Sequence, residues 1–228
     1  MTWLEKYYET IIESGYYKLL LEGFGNTLLI TIGALIIGVI IGTILSVTKY
    51  FCEDVPAMKP ICWLCDLYIT VIRGIPVTVL LLVFFYIIFV SVKDGVPVAI
   101  IAFGINSGAY MAELIRSGIN AVDKGQMEAA RSLGLSKGQA MAKIIFPQAI
   151  KNILPAIANE FVVIIKESSI CYTIGVQDLM FAVDAIRGAN FIVMEPLLVA
   201  TAIYFCLCFP TSKLIAYFER KMSRGDKR

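Results

Sequence analysis

Charge is scarce in this 228-residue chain: Lys, Arg, Asp and Glu make up 17% of it, where a soluble domain is nearer ~25%. That shortage excludes an ordinary soluble domain. Histidine is absent, and of the cysteines Cys52, Cys62, Cys65, Cys171, Cys206 and Cys208 only Cys62-x-x-Cys65 has ligand spacing. With no second pair and no imidazole, zinc-type ligation is excluded, and the cysteines are expected to be reduced core residues that behave as mild hydrophobes. No G-x-x-x-x-G-K-[ST] phosphate loop occurs, so this chain is not expected to hydrolyse a nucleotide itself. Alternating ten-residue segments, the sign of a membrane β-barrel, are missing too. The opening residues are acidic and aromatic, so no signal peptide is expected there.

What is present is apolar sequence: 58% hydrophobic residues, with a mean hydropathy of +0.78. This points to a one-domain helical integral membrane protein. A spanning helix needs roughly 20 apolar residues, and five candidates appear, at about Phe24–Val47, Ile61–Val92, Gly95–Ile115, Asn152–Ile165 and Phe191–Ile215. The second is interrupted at Arg73-Gly74-Ile75-Pro76. Residues 1–22 form a separate segment, in which Leu4, Tyr7, Tyr8, Ile11 and Ile12 recur at helical spacing, suggesting an amphipathic helix on a membrane face. Residues 23–220 form the transmembrane domain, and 221–228 form a basic tail.

Lys and Arg favour cytoplasmic loops. Lys213–Arg228 carries six basic and two acidic residues, Glu113–Lys151 six and three, and Met1–Glu22 two and four. With five spans the termini lie on opposite sides. The charge bias therefore places the N-terminus outside, and the C-terminus together with 113–151 inside. The net charge of +2 is divided among loops and gives no sign of nucleic-acid binding. Gly38-x-x-x-Gly42 and Gly104-x-x-x-Gly108 put small residues on one helix face and are expected to be packing positions.

Within 113–151 lies the polar stretch Glu128–Pro147. Gln126–Leu133 contains good helix formers, with Glu128 suited to the positive end of a helix. Gly134 breaks the run, Ser136 can cap a second helix, and Pro147 and Pro155 are expected to limit the helix that follows. Two short helices joined at a glycine make a compact polar knob over residues 123–147, suited to a soluble partner.

Charges inside membrane helices cost about 2.5–3.5 kcal/mol each on insertion scales and so face cavities or partners. Arg73, Glu113, Arg116, Glu160, Lys166, Glu167 and Glu195 qualify. Glu113 and Arg116 are spaced for a helix-end ion pair. Glu160 and Glu167 share a helix face and suit an ammonium group. Arg73 suits a carboxylate, or else satisfies carbonyls freed at the adjacent break. Lys166 with Glu167 also fits an interfacial pair. Asn159, Ser168 and Ser169 add amide and hydroxyl groups.

The spacing Glu128-Ala129-Ala130, then Gly134, then Ile144 and Phe146-Pro147 resembles the EAA motif of bacterial ABC importer permeases; Phe146 stands where that family has Leu. Arg73-Gly74-Ile75-Pro76, Tyr110–Arg116, Gly125-Gln126, Pro147-Gln148-Ala149 and Lys166–Ile170 resemble the polar amino acid branch, of histidine/glutamine type, with Glu167 and Ile170 as conservative departures. The resemblance covers roughly 23–220. It implies an all-α type I importer permease fold in a bacterial inner membrane, with no catalysis and no cofactor in this chain. Glu128, Ala129, Ala130, Arg131 and Gly134 would belong to a coupling helix seated on an ATPase subunit that holds ATP and magnesium. Other implied partners are a second permease copy or a sister chain, an extracytoplasmic amino acid-binding protein and an amino acid. Substrate contacts are expected at Glu160, Glu167, Lys166, Asn159, Ser168 and Arg73. An autonomous secondary transporter, or a membrane anchor for a soluble complex, are the alternatives. Five spans without an evident repeat speak against the first, and Glu160 and Glu195 speak against a pure anchor.

Overall fold

Residues 8–52 and 55–223 are described by the computed structural model, and every regular element among them is helical. Helix α1 runs Tyr17–Cys52, beginning ahead of the boundary expected after residue 22. Then come α2 (Lys59–Gly74) and α3 (Val77–Val83), the latter extended by a π-helical turn at Phe84–Ile88. Helix α4 spans Gly95–Asn120. Two short helices, α5 (Lys124–Ser132) and α6 (Lys137–Ala140), lead through a π-helical turn at Met141–Ile145 into α7 (Phe146–Glu167). A 3-10 helix at Ser168–Ile174, α8 (Leu179–Asn190) and α9 (Met194–Ser223) complete the order.

Among the described residues α1, α4 and α9 are long and apolar enough to cross a membrane, and the pair broken at Gly74–Pro76 brings the number to as many as four. Helix α7, which contains the expected fourth span, falls outside that group; Lys151, Glu160, Lys166 and Glu167 lower its apolar character. Pro155, expected to limit this helix, is contained within it, and α7 continues to Glu167. At the start of the chain Tyr8–Glu13 form a π-helical turn. Ile11 is buried there while Tyr8 and Ile12 are exposed; Leu4 and Tyr7 lie outside the described residues.

The chain divides into two units. The first comprises residues 1–35, 75–104 and 161–211. Its core gathers Ile30, Leu81, Phe103, Ile164 and Cys171, and a second cluster joins Ile11 and Leu20 to Leu179, Val183 and Ile186. The start of α1 is fastened to the corner before α8: Asn26 Nδ2 donates to Gln177 O at 2.8 Å, and the Leu179 amide donates to Thr27 Oγ1 at 3.3 Å. Gly23 permits this approach, because a Cβ there would lie 2.5 Å from the Asp178 carbonyl oxygen.

The second unit comprises residues 36–74, 105–160 and 212–228. Here three of the expected small-residue positions do pack helices closely. A Cβ on Gly38 would lie 2.6 Å from Ser107 Oγ, one on Gly42 2.4 Å from Met111 Cβ, and one on Gly108 2.7 Å from Ile41. The contact brings backbones near enough for Ser46 Oγ to donate to Ala112 O at 2.8 Å. Tyr68 adds a bond from α2, its hydroxyl donating to Ile105 O at 2.7 Å. Ile115, Ala149 and Ile153 form the core where α4 meets α7. All six cysteines are free, and Cys52, Cys65 and Cys171 are buried.

Candidate functional site

The polar segment has every local device needed to fold as a knob. Asp123 caps α5, its carboxylate accepting from the Gly125 amide at 2.6 Å. Such a side chain satisfies one of the amides that a helix start leaves without a partner. Gly134 ends α5 at φ +86°, a left-handed conformation that costs little only for glycine. Nothing lies within 4 Å of a Cβ built there, so backbone conformation and not space requires the glycine. Arg131 closes the turn by donating to Leu135 O at 2.9 Å. Ser136 then starts α6 with a reciprocal capping box: Ser136 Oγ accepts from the Gln139 amide, and Gln139 Oε1 accepts from the Ser136 amide.

The knob has an anchored side and an open side. Ala130 and Ala140 are buried, whereas Leu133 at the tip is 80% exposed. Glu128, Ala129 and Arg131 are exposed as well. Gln148 in the first turn of α7 donates to Ile144 O at 2.9 Å and bonds Gln126 of α5 at 3.4 Å, tying the knob to the helix that follows it. Leu133 was not singled out by sequence reasoning; an apolar residue next to the turn glycine was the available signal.

The candidate substrate residues are distributed between the two units. In the second, Glu160 is buried to 9% exposure on α7 and Asn159 beside it is exposed. Arg73 is exposed at the end of α2, and its guanidinium lies over the Tyr110 ring at 5.2 Å, a cation–π contact. Glu113 and Arg116 form the expected ion pair. In the first unit Lys166 is exposed and Glu167 half-buried. Ser168 is fully buried and its hydroxyl donates to Ile165 O at 2.8 Å; Ser169 Oγ likewise donates to Lys166 O at 2.6 Å. Both hydroxyls thus use their protons on the last turn of α7. Glu195 is buried near the start of α9.

Two further polar features emerge only from the fold. Lys49 of α1 pairs with Asp66 of α2, and a cavity of about 70 Å³ in the same unit is lined by Lys49, Ser46, Glu113, Arg116 and Asn120. Asp178, outside the spans, caps α8 by accepting from the Phe181 amide at 2.8 Å while fully buried. Burial pushes its carboxyl up to about 7, with the Phe181 bond acting the other way; loss of water disfavours the charged form.

Comparisons with known proteins agree with this architecture. Residues 34–224 match the family described as binding-protein-dependent transport system inner membrane component. An arginine transport system permease protein of Bacillus subtilis (strain 168) is 37% identical over 218 residues, covering 91% of this chain and 94% of that protein. A probable glutamine ABC transporter permease of the same organism is 33% identical, with 92% and 95% covered. The crystal structure of an amino acid ABC transporter with histidines superposes with a TM-score of 0.84 at 41% identity, covering 92% of this chain and 96% of that one. An inward-facing methionine ABC transporter shares the fold at a TM-score of 0.71 and 19% identity, with 89% and 97% covered. The chain therefore belongs to the family of inner-membrane components of binding-protein-dependent transport systems and is a multi-pass ABC importer permease of the type I fold.

Proposed function

We propose that this chain is the permease subunit of an ATP-driven importer of polar amino acids, cationic or zwitterionic, and that residues 123–147 are the joint through which a separate ATPase drives it. The observation that carries this is the knob itself: two capped helices around Gly134 with a buried alanine side and an exposed tip. A segment that spends two caps and a left-handed glycine on its own shape is built to present a fixed surface. Glu128, Ala129, Ala130, Arg131 and Gly134 form or support that surface. ATP and magnesium belong to the partner ATPase. The complex also includes a second permease, identical or homologous, and an external binding protein. The knob and the C-terminus face the cytoplasm, and the N-terminus faces outward.

The cargo reading rests on Glu160. It is a buried carboxylate within α7, and a carboxylate suits an amino acid's ammonium or a basic side chain. Relatives named for arginine and for glutamine support a polar amino acid. Asn159, Arg73, Lys166 and Glu167 are the further contacts proposed, Arg73 for the substrate carboxylate. Ser168 comes last, because its hydroxyl proton is engaged within the chain.

The test is ATP hydrolysis by the assembled complex in proteoliposomes with its binding protein, scanned over the twenty amino acids. Stimulation by arginine, histidine, lysine or glutamine is expected. An ATPase that binds but is stimulated by none of the twenty would leave a membrane anchor as the better description.

A further inference from the structure

The corner between α8 and α9 departs from the other left-handed positions of the chain. Helix α8 ends at Phe191, whose φ is +52°. In this conformation a Cβ crowds the backbone, and glycine usually takes the position. The other left-handed positions among the described residues, 15, 134 and 175, are all glycine. Phe191 accepts the strain, and its ring recovers almost nothing against the described residues, because Phe191 is 94% exposed. Strain of this kind persists where the side chain serves a purpose beyond local folding.

The ring has apolar company. Phe191, Ile192, Val193 and Met194 are consecutive, and all but Ile192 are exposed. Helix α8 adds nothing to this surface. Its apolar side chains Leu179, Val183 and Ile186 are spent in the core, and its exposed last turn carries Arg187, paired with Asp184. On the other side the corner runs into α9. Glu195 and Pro196 are buried, whereas Leu197 and Leu198 are exposed. Only 11% of the most apolar stretch of α9 is buried. Helix α9 thus carries a bare apolar face, and the corner is its tip.

Length sets the depth of that tip. Thirty residues at 1.5 Å each make α9 about 45 Å long. A bilayer is about 40–45 Å thick with its headgroups, of which about 30 Å is hydrocarbon. A spanning helix of that length begins at headgroup level, and bulky apolar side chains there bury themselves at the boundary with the acyl chains. We infer that the α8–α9 corner is a membrane-interface anchor, with Phe191, Val193 and Met194 inserted among the phospholipids of the leaflet at which α9 begins. The inference goes beyond the transport reading and shares with it only the placement of the chain in a membrane.

The complete transporter carrying Phe191→p-benzoylphenylalanine, in nanodiscs of phosphatidylglycerol and phosphatidylethanolamine, tests it by light-driven crosslinking and mass spectrometry of the adducts. Phospholipid adducts are expected at 191, and likewise from Val193→p-benzoylphenylalanine. Leu133→p-benzoylphenylalanine, at the tip of the knob, should give none. The unaltered complex supplies a second measurement that needs no variant to fold. A phosphatidylcholine with a diazirine near the glycerol end of one acyl chain should label 191–194 more strongly than one with the diazirine at the chain terminus. Adducts of 191 with protein alone, whether a second permease, a soluble subunit or another segment of this chain, would overturn the inference. So would equal lipid adducts at 191 and 133, or an unaltered complex in which 191–194 is unlabelled or prefers the terminal probe. Neither readout depends on turnover, so failure of the ATPase coupling would leave these results unchanged.

Discussion

The knob at 123–147 and the stretch 159–169, which runs from the end of α7 into the 3-10 helix, both carry polar groups in an apolar chain, yet they acquire their shape differently. In the knob the bonds that set its turns and caps join close neighbours: Asp123 to Gly125, Arg131 to Leu135, Ser136 to Gln139. In the stretch, the hydroxyls of Ser168 and Ser169 also bond locally, but the burial of Glu160 is a property of the fold and not of its neighbours in sequence. One region is a shape written into its own sequence. The other is a set of charges whose meaning depends on surroundings.

The comparison breaks most visibly at Gly134. Gly134→Val places a β-branched residue at φ +86°, a strain on the order of 1–3 kcal/mol, and the knob should lose its presented form. Co-purification with the ATPase is expected to fail while the spans still insert. A variant complex that assembles and hydrolyses ATP normally removes the coupling assignment.

Glu160→Gln probes the other region. It keeps the shape and removes the charge, and a hydrogen bond to a charged group contributes about 1.5–3 kcal/mol. Uptake of a cationic amino acid should weaken by roughly tenfold or more, with ATPase docking intact. Unchanged uptake and unchanged preference would refute the substrate role.

A smaller effect is expected from packing. Gly42→Ala brings a methyl within 2.4 Å of Met111 Cβ and 2.8 Å of the Ala112 backbone nitrogen, atoms that cannot easily give way. Thermal unfolding in detergent should report a loss of about 1–3 kcal/mol. Gly25→Ala in the same helix meets nothing within 4 Å and should cost nothing. Equal behaviour of the two variants would mean that the close α1–α4 contact does not govern stability.

The last concerns Asp178. Its carboxyl is raised to about 7 when folded against about 3.9 in an unfolded chain. Between those values the native state retains a proton that the unfolded chain releases, so stability falls as pH rises through that window and levels off above it. Asp178→Asn preserves a side-chain acceptor for the Phe181 amide and does not titrate. Its stability should lose this slope between about pH 4 and about 7, as read by thermal unfolding across pH.

Much of this was legible beforehand. Apolar run lengths anticipated α1, α4 and α9, and Arg73–Pro76 anticipated the break between α2 and α3. Gly134 and Ser136 located the turn and the second cap. The 3-10 helix at Ser168–Ile174 and helix α8 were not foreseen, because their apolar residues satisfy a core spread over distant segments and show no long run. Pro155 misled for a related reason: the local rule against proline inside a helix yielded to the packing of α7.

By itself the sequence determined the class of molecule, the main spans and the knob, since hydrophobic run length, caps and a left-handed glycine act over a few residues. Only the tertiary structure decided that Gly42 receives Met111, that Asp178 is enclosed against α1, and that Lys49 meets Asp66. Each of these joins residues far apart in the chain. Burial and close approach are properties of how helices meet, and no short window of sequence contains them.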